Sequence, residues 1–245
     1  MLVLLLACTF HTIQALSQDS TAYGSANTSV GAGAMVYLGD LTPRQFGDMR
    51  MAKLGVQISH KIPVTRQLAL KGSMLIGSLT GDDKLYDGWR EKRSFRFNSN
   101  LTEISVAVQW ELLGNSWDVL DHKTDKKRSS IYYKRFSPYI YAGIGCINNI
   151  VTKDMTGIDS VYFGGDVAWI NYHKEQNTSY KTAMLAVPIG VGMHIFLTPS
   201  MRLNVEYSYH KLFNDHLDGF GVAVASGKPD AFQSLILGLD FRFLK

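Results

Sequence analysis

Cysteine is nearly absent from this chain: two residues, Cys8 and Cys146, among 245. If the first belongs to a removed leader, Cys146 stands alone, which excludes an intramolecular disulfide and a cysteine-based zinc site. Long apolar runs are missing too. Beyond residue 10 nothing approaches the roughly eighteen consecutive apolar residues of a membrane helix, so any insertion into a bilayer has to use strands. Excess charge is also small, with 25 Lys and Arg against 21 Asp and Glu. A nucleic-acid binder would concentrate its bases on one surface, and the only dense basic run is HKTDKKR at 122–128.

What is present leans toward an all-β chain: 46% apolar residues, 11% aromatics and 22 glycines. The opening MLVLLLACTFHTIQALS reads as an export signal, with Ala15-Leu16-Ser17 as a small-x-small cleavage site and Gln18 as the mature N-terminus. It departs from the usual pattern in having no Lys or Arg before Arg44. The expected organisation is a signal peptide over 1–17 and one barrel domain over 18–245.

Alternation dominates the rest. In MRLNVEYSYH (201–210), Met201, Leu203, Val205, Tyr207 and Tyr209 fall on one parity, and Arg202, Asn204, Glu206, Ser208 and His210 on the other. Side chains i and i+2 share a strand face, so the segment has one apolar and one polar face. The same pattern recurs around 52–59, 67–76, 103–112, 185–195 and 234–243, and with 29–37 and 136–147 it gives eight strands. At about nine to fourteen residues they exceed the usual globular length and suit tilted membrane strands. The count rises to ten if 161–172 pairs as an extra hairpin. Gly31-Ala32-Gly33, Gly143-Ile144-Gly145 and Gly190-Val191-Gly192 lack the third glycine and following helix of a nucleotide loop. As strand residues they put glycines on the polar face, relieving crowding in a narrow lumen beside Tyr139, Tyr141, Glu206 and Arg242.

Connections alternate in length. Segments 38–50, 80–100, 148–183 and 214–232 are long and polar, whereas Pro63-Val64-Thr65 and Thr198-Pro199-Ser200 mark tight turns. That matches long outer loops and short periplasmic turns, with both termini in the periplasm. The link 113–135 breaks the rule by being long where a short turn is due. Between a lipocalin-like barrel with its apolar face inward and a membrane barrel with its apolar face outward, mid-strand Lys71, Glu103, Glu206 and Asp240 favour the second. An enclosed polar lumen can pair these charges, whereas a lipid-facing base at mid-bilayer would cost about 2–4 kcal/mol.

Several stretches then act together: Tyr37-Leu38-Gly39-Asp40-Leu41, Ser137-Pro138-Tyr139, Val187-Pro188-Ile189-Gly190-Val191-Gly192, and the run from Glu206 through His210 and His216 to Asp218. As a set they resemble the Bacteroidota outer-membrane β-barrel family that includes PorG of the type IX secretion system, over roughly residues 29–244. Two positions depart from that pattern, His210 where the family has Arg and His216 where it has Tyr. The resemblance implies a non-enzymatic barrel of a Gram-negative outer membrane without a cofactor. It implies association with a periplasmic secretion ring built from a lipoprotein and its partner subunit.

For chemistry, the cluster Asn214-Asp215-His216-Leu217-Asp218 beside His210 offers an acid–base or metal arrangement, but supplies no activated nucleophile and no third ligand at suitable spacing. The expectation is a strand end whose polar groups bond the adjoining loop, with no catalytic or metal residue and no small-molecule substrate. A rim protease or acyltransferase is the enzymatic alternative. A stand-alone barrel for adhesion or envelope integrity is the other. Lys123, Lys126, Lys127 and Arg128, in the long periplasmic link, are the expected partner-docking residues.

Overall fold

The computed structural model describes residues 26–44, 46–114, 136–159, 161–162, 183–198, 200–214, 216–220 and 230–242. The signal segment 1–17 and the docking residues Lys123, Lys126, Lys127 and Arg128 lie outside them, as does most of 161–172. Among the described residues, eight antiparallel strands close into one barrel in chain order: β1 (Asn27–Leu38), β2 (Lys53–Pro63), β3 (Leu68–Asp82), β4 (Arg96–Glu111), β5 (Phe136–Asp154), β6 (Ala183–Thr198), β7 (Met201–Leu212) and β8 (Ala231–Arg242). The expected up-and-down topology is the one observed. No helix among them is long and apolar enough to cross a membrane.

Closure comes from β1 pairing with β8 along its full length, from Asn27 opposite Arg242 to Leu38 opposite Ala231. Both chain ends of the barrel therefore sit at one rim, with the tight β2–β3 and β6–β7 connections and the adjoining ends of β4 and β5. The β2–β3 turn is fixed by Val64 and Thr65 N–H groups donating to Leu68 O at 2.8 and 3.0 Å. The other rim carries four longer connections: L1 (39–52), L2 (83–95), L3 (155–182) and L4 (213–230).

Parity sorts the faces as the sequence requires. Outward rows carry an exposed apolar stretch, for example Leu54, Val56 and Ile58 on β2, Ile104, Val106 and Val108 on β4, and Leu235, Leu237 and Leu239 on β8. Glu103, Gln109, Glu206, Arg202 and Asp240 point inward and are buried. A closed cylinder leaves no unpaired edge, and an apolar belt around its whole circumference calls for hydrocarbon as solvent.

The strands extend further than alternation suggested. Residues 80–82, 96–100 and 148–154, expected as loop, continue β3, β4 and β5. With 16 and 19 residues, β4 and β5 run roughly 50–60 Å at about 3.3 Å per residue. Even tilted by about 40°, they overreach a hydrocarbon core of about 30 Å. The side chains show where the bilayer ends. Above Ile76 and Ile104 the outward rows turn polar, with Ser78, Asp82, Arg96, Asn98 and Asn100. Ser78 donates to Asn100 at 2.7 Å, and Arg96 pairs with Asp82 at 2.7 Å.

The inward rows switch in the opposite sense. Met35, Tyr37, Leu75, Leu79, Phe97, Leu101, Ile147, Leu212 and Phe232 form an apolar core inside the outer part of the barrel, capped by Leu217 and Phe220 of L4. The expectation of a polar lumen throughout is thus corrected: where the outside meets water the inside must be oily, as in a soluble barrel. This boundary yields a paired prediction. Val106→Arg, within the belt, should cost about 2–4 kcal/mol in urea titrations of vesicle-embedded protein, whereas Asn98→Arg, beyond it, should cost at most about 1 kcal/mol.

Candidate functional site

Two regions hold the polar chemistry: the inner lumen and the long-loop rim. In the lumen, four buried bases (Lys61, Lys71, Arg202, Arg242) are matched by four buried acids (Glu103, Glu111, Glu206, Asp240). Lys71 Nζ lies 2.5 Å from Glu206 Oε2 and 4.0 Å from the centre of the Tyr141 ring. The same carboxylate accepts from Tyr139 Oη at 2.5 Å, Tyr141 Oη at 3.0 Å and Gln57 Nε2 at 3.0 Å. A glutamate in a membrane barrel can stay ionised on such terms, with an ammonium and three further donors around it.

Toward the terminal rim, Lys61 pairs with Glu111 at 2.6 Å and Arg202 with Asp240 at 2.6 Å. His194 lies between these pairs, 3.6 Å from Glu111 and 3.0 Å from Asp240, with its ring stacked on Tyr139. On the other side, His210 Nδ1 meets Glu103 at 2.7 Å, its Nε2 meets Ser208 Oγ at 2.9 Å, and its ring stacks on Phe232. The charges expected to pair do so, and the glycines make room for them. A Cβ on Gly190 or Gly192 would fall 2.4 Å from Tyr141 or 2.3 Å from Tyr139. The cavity beside Gln57, Glu103, Tyr141 and His210 holds about one water-sized sphere. The lumen is a packed polar core.

At the rim, the described members of the cluster singled out for chemistry point to different places. His210 turns into the lumen, Asp215 lies outside the described residues, and Asp218 is buried against β1. Tyr37 Oη lies 2.8 Å from Asp218 and 2.7 Å from Asp230, so one phenol ties both ends of L4 to the wall. Asp230 also accepts from Leu217 N–H, and Asp218 from Phe220 N–H. Among the described residues no three His, Cys, Asp or Glu side chains converge as a metal site.

Sequence reasoning missed the clasp between L1 and L2. L2 carries a short helix, α1 (Trp89–Arg93), ended by Ser94 in the left-handed region at φ 57. Arg93 and Arg90 converge on buried Asp83 at 2.5 and 3.4 Å, with Trp89 4.9 Å from each guanidinium. Arg90 also donates to Asp40 O of L1 at 2.6 Å. Asp48 of L1 accepts from Arg50 at 2.7 Å and from Tyr86 of L2 at 3.2 Å. No local pattern announces this, because the partners come from separate loops.

The Arg50 hydrogen bonds hold the Asp48 carboxyl well below the usual carboxylate range, and burial pushes the Tyr86 phenol up. A lowered carboxyl pKa contributes stability that is complete above the group's ordinary pKa and is lost only as pH falls through the lowered value. The clasp should therefore persist through about pH 4, where free carboxylates protonate. A fluorophore on L1 should report an unchanged signal from pH 7 to 4, and an Asp48→Asn variant should show the released state throughout.

A family model described as "Domain of unknown function (DUF6089)" matches residues 6–239. No curated protein matches the chain. Among solved structures, Neisserial surface protein A is similar at 13% identity, covering 90% of this chain and 98% of that one with a TM-score of 0.47. Ail of Yersinia pestis is similar at 11%, covering 90% and 99%, TM-score 0.44. The outer membrane protein OprG from Pseudomonas aeruginosa is similar at 9%, covering 91% and 98%, TM-score 0.47.

Proposed function

The chain belongs to the DUF6089 family, and we propose that it is a non-enzymatic barrel of a Gram-negative outer membrane that works through its two rims. On this reading it is an interaction or scaffold component of a type IX-like protein secretion apparatus. The observation that carries the proposal is the lumen. Among the described residues, ion pairs and an apolar outer plug fill the lumen, which favours a function on the surfaces the barrel presents. Eight strands suit such a role, since a barrel of this size has an interior only wide enough for its own side chains.

The terminal rim faces the periplasm on this reading, and the link bearing Lys123, Lys126, Lys127 and Arg128 hangs there. Its basic run is suited to an acidic patch on a periplasmic ring subunit, the lipoprotein or its partner. The resemblance of the 37–41, 137–139, 187–192 and 206–218 stretches to the outer-membrane barrel family that includes PorG supports the secretion assignment. Purification of the full chain from outer membranes in mild detergent should bring the ring subunits with it. Deleting 121–129 should leave a heat-modifiable barrel and release those subunits. Unchanged co-purification would remove the docking assignment, and a lone barrel from the intact chain would remove the secretion role.

A second reading, a stand-alone barrel for adhesion or envelope integrity, is favoured by the outer rim, where Trp89, Val161 and Tyr162 are exposed. It predicts the lone barrel. A rim enzyme would instead lose activity on a lipid or peptide panel in Asp215→Ala and His216→Ala variants.

A further inference from the structure

L1 does not stand up from the barrel; it folds down its outside. Gly47, at φ +71, lies against the outward face of β1, where an added Cβ would meet Val36 Cγ1 at 2.5 Å and Leu38 Cδ2 at 3.2 Å. Val36 is only 3% exposed as a result. The next contact fixes the height. Gln233 Nε2 donates to Phe46 O at 2.5 Å, while its Oε1 accepts from Tyr207 Oη at 2.8 Å. Gln233 is the first polar residue in the outward row of β8 beyond Leu239, Leu237 and Leu235, and it pairs across the sheet with Tyr209. Phe46 is thereby held at the upper edge of the apolar belt, level with the tyrosines.

The side chains L1 presents there are unlike those of a solvated loop. Phe46 is 79% and Met49 67% exposed, the apolar surface continuing that of the belt. Arg44 and Arg50 flank them with side chains 63% and 53% exposed. Asp48, the acid between them, is buried, takes Arg50 at 2.7 Å and lies 3.8 Å from Arg44, so two bases share one carboxylate and the strap keeps a net positive charge.

We infer that L1 is an interfacial strap that seats Phe46 and Met49 among outer-leaflet acyl chains and sets Arg44 and Arg50 against the phosphates of anionic lipid headgroups. The occupant follows from continuity and charge. The strap adjoins the lipid-facing side of the barrel through Val36 and Leu38, aromatic side chains settle at the headgroup level, and surface guanidiniums attract anionic lipid. Arg44 is the less tightly held base, 3.8 Å from Asp48 against 2.7 Å for Arg50.

This inference rests on the membrane reading of the belt, and the test separates the two. In a Cys146→Ser background, a spin label at Phe46→Cys and another at Val56→Cys, in the belt, are measured in vesicles for collision with oxygen and with a water-soluble nickel chelate. The expected result places the residue 46 label at headgroup depth and the residue 56 label deeper. A residue 46 label with the nickel accessibility of free solvent, above a lipid-buried residue 56 label, overturns the strap alone. Both labels in water overturn the membrane reading with it.

A second arm uses brominated phosphatidylglycerol or brominated phosphatidylcholine as a minor lipid, with a fluorophore at residue 46. Quenching by the anionic lipid should exceed that by the neutral one, and Arg44→Gln should lower the excess by up to roughly fivefold. Equal quenching by both lipids would overturn the phosphate assignment. Inorganic phosphate in the buffer should leave the excess unchanged; abolition by inorganic phosphate would mean an anion site not tied to lipid.

Discussion

Gly33→Ala prevents the barrel from closing. A Cβ at this position would lie 1.8 Å from Leu235 O, 2.8 Å from its carbonyl carbon and 2.9 Å from Ile236 Cα. All three are backbone atoms, so no rotamer change relieves the contact. The position lies on the β1–β8 seam, the only joint between the two ends of the barrel wall, opposite Ile236 and beside Gly55 of β2. Met35 packs across Gly55 and Gly77 in the same row, so a shift of β1 also lifts the first side chain of the outer plug. An open seam in a bilayer exposes backbone groups that have no water to bond, at several kcal/mol each. The expected result is loss of the compact, heat-modifiable band on unboiled gels. Gly72→Ala is the control, because its added Cβ has no atom within 4 Å. A Gly33→Ala barrel as resistant to urea as the parent would show that the seam is looser than described.

Lys71→Met should be the most damaging change inside the lumen. It leaves the Glu206 carboxylate with its tyrosine and glutamine donors but without its counter-charge. Removing one partner of a buried pair costs about 3–5 kcal/mol. It also deletes the ammonium stacked on Tyr141. Adding Glu206→Gln should restore most of the loss, since replacing both members of a buried pair by uncharged groups is close to neutral. Urea unfolding in vesicles reads both effects. A Lys71→Met variant as stable as the parent would mean that Glu206 is neutral in the folded barrel. In that case the lumen is not held together by ion pairs.

The strand parities were legible in the sequence, and MRLNVEYSYH shows why. A register slip by one residue would send Arg202 and Glu206 into lipid and Val205 into the lumen. Lys71, Glu103 and Asp240 were assigned inward by the same reasoning. Alternation alone could not show the exchange of solvents near Ile76 and Ile104. Above that level the outward residues become polar and the inward ones apolar, so Met35, Leu79, Leu101 and Ile147 sit on the parity that alternation assigns to the polar face. Segments 80–82, 96–100 and 148–154 therefore looked like loop. The Tyr37 contacts to Asp218 and Asp230 bridge 181 and 193 residues, and the seat of Phe46 on Gln233 is made by a carbonyl. Neither leaves a mark in local pattern.

Single cysteines along residues 101–111 of β4, in a Cys146→Ser background, put the orientation of the wall to its most direct test. Each is labelled and read in vesicles of brominated lipid. Labels at Ile104, Val106 and Val108 should be quenched strongly, and those at Glu103, Ser105 and Ala107 spared, giving a period of two residues. Quenching that ignores parity, from a protein that remains monomeric in water without detergent, would contradict an oily exterior around a sealed ionic core.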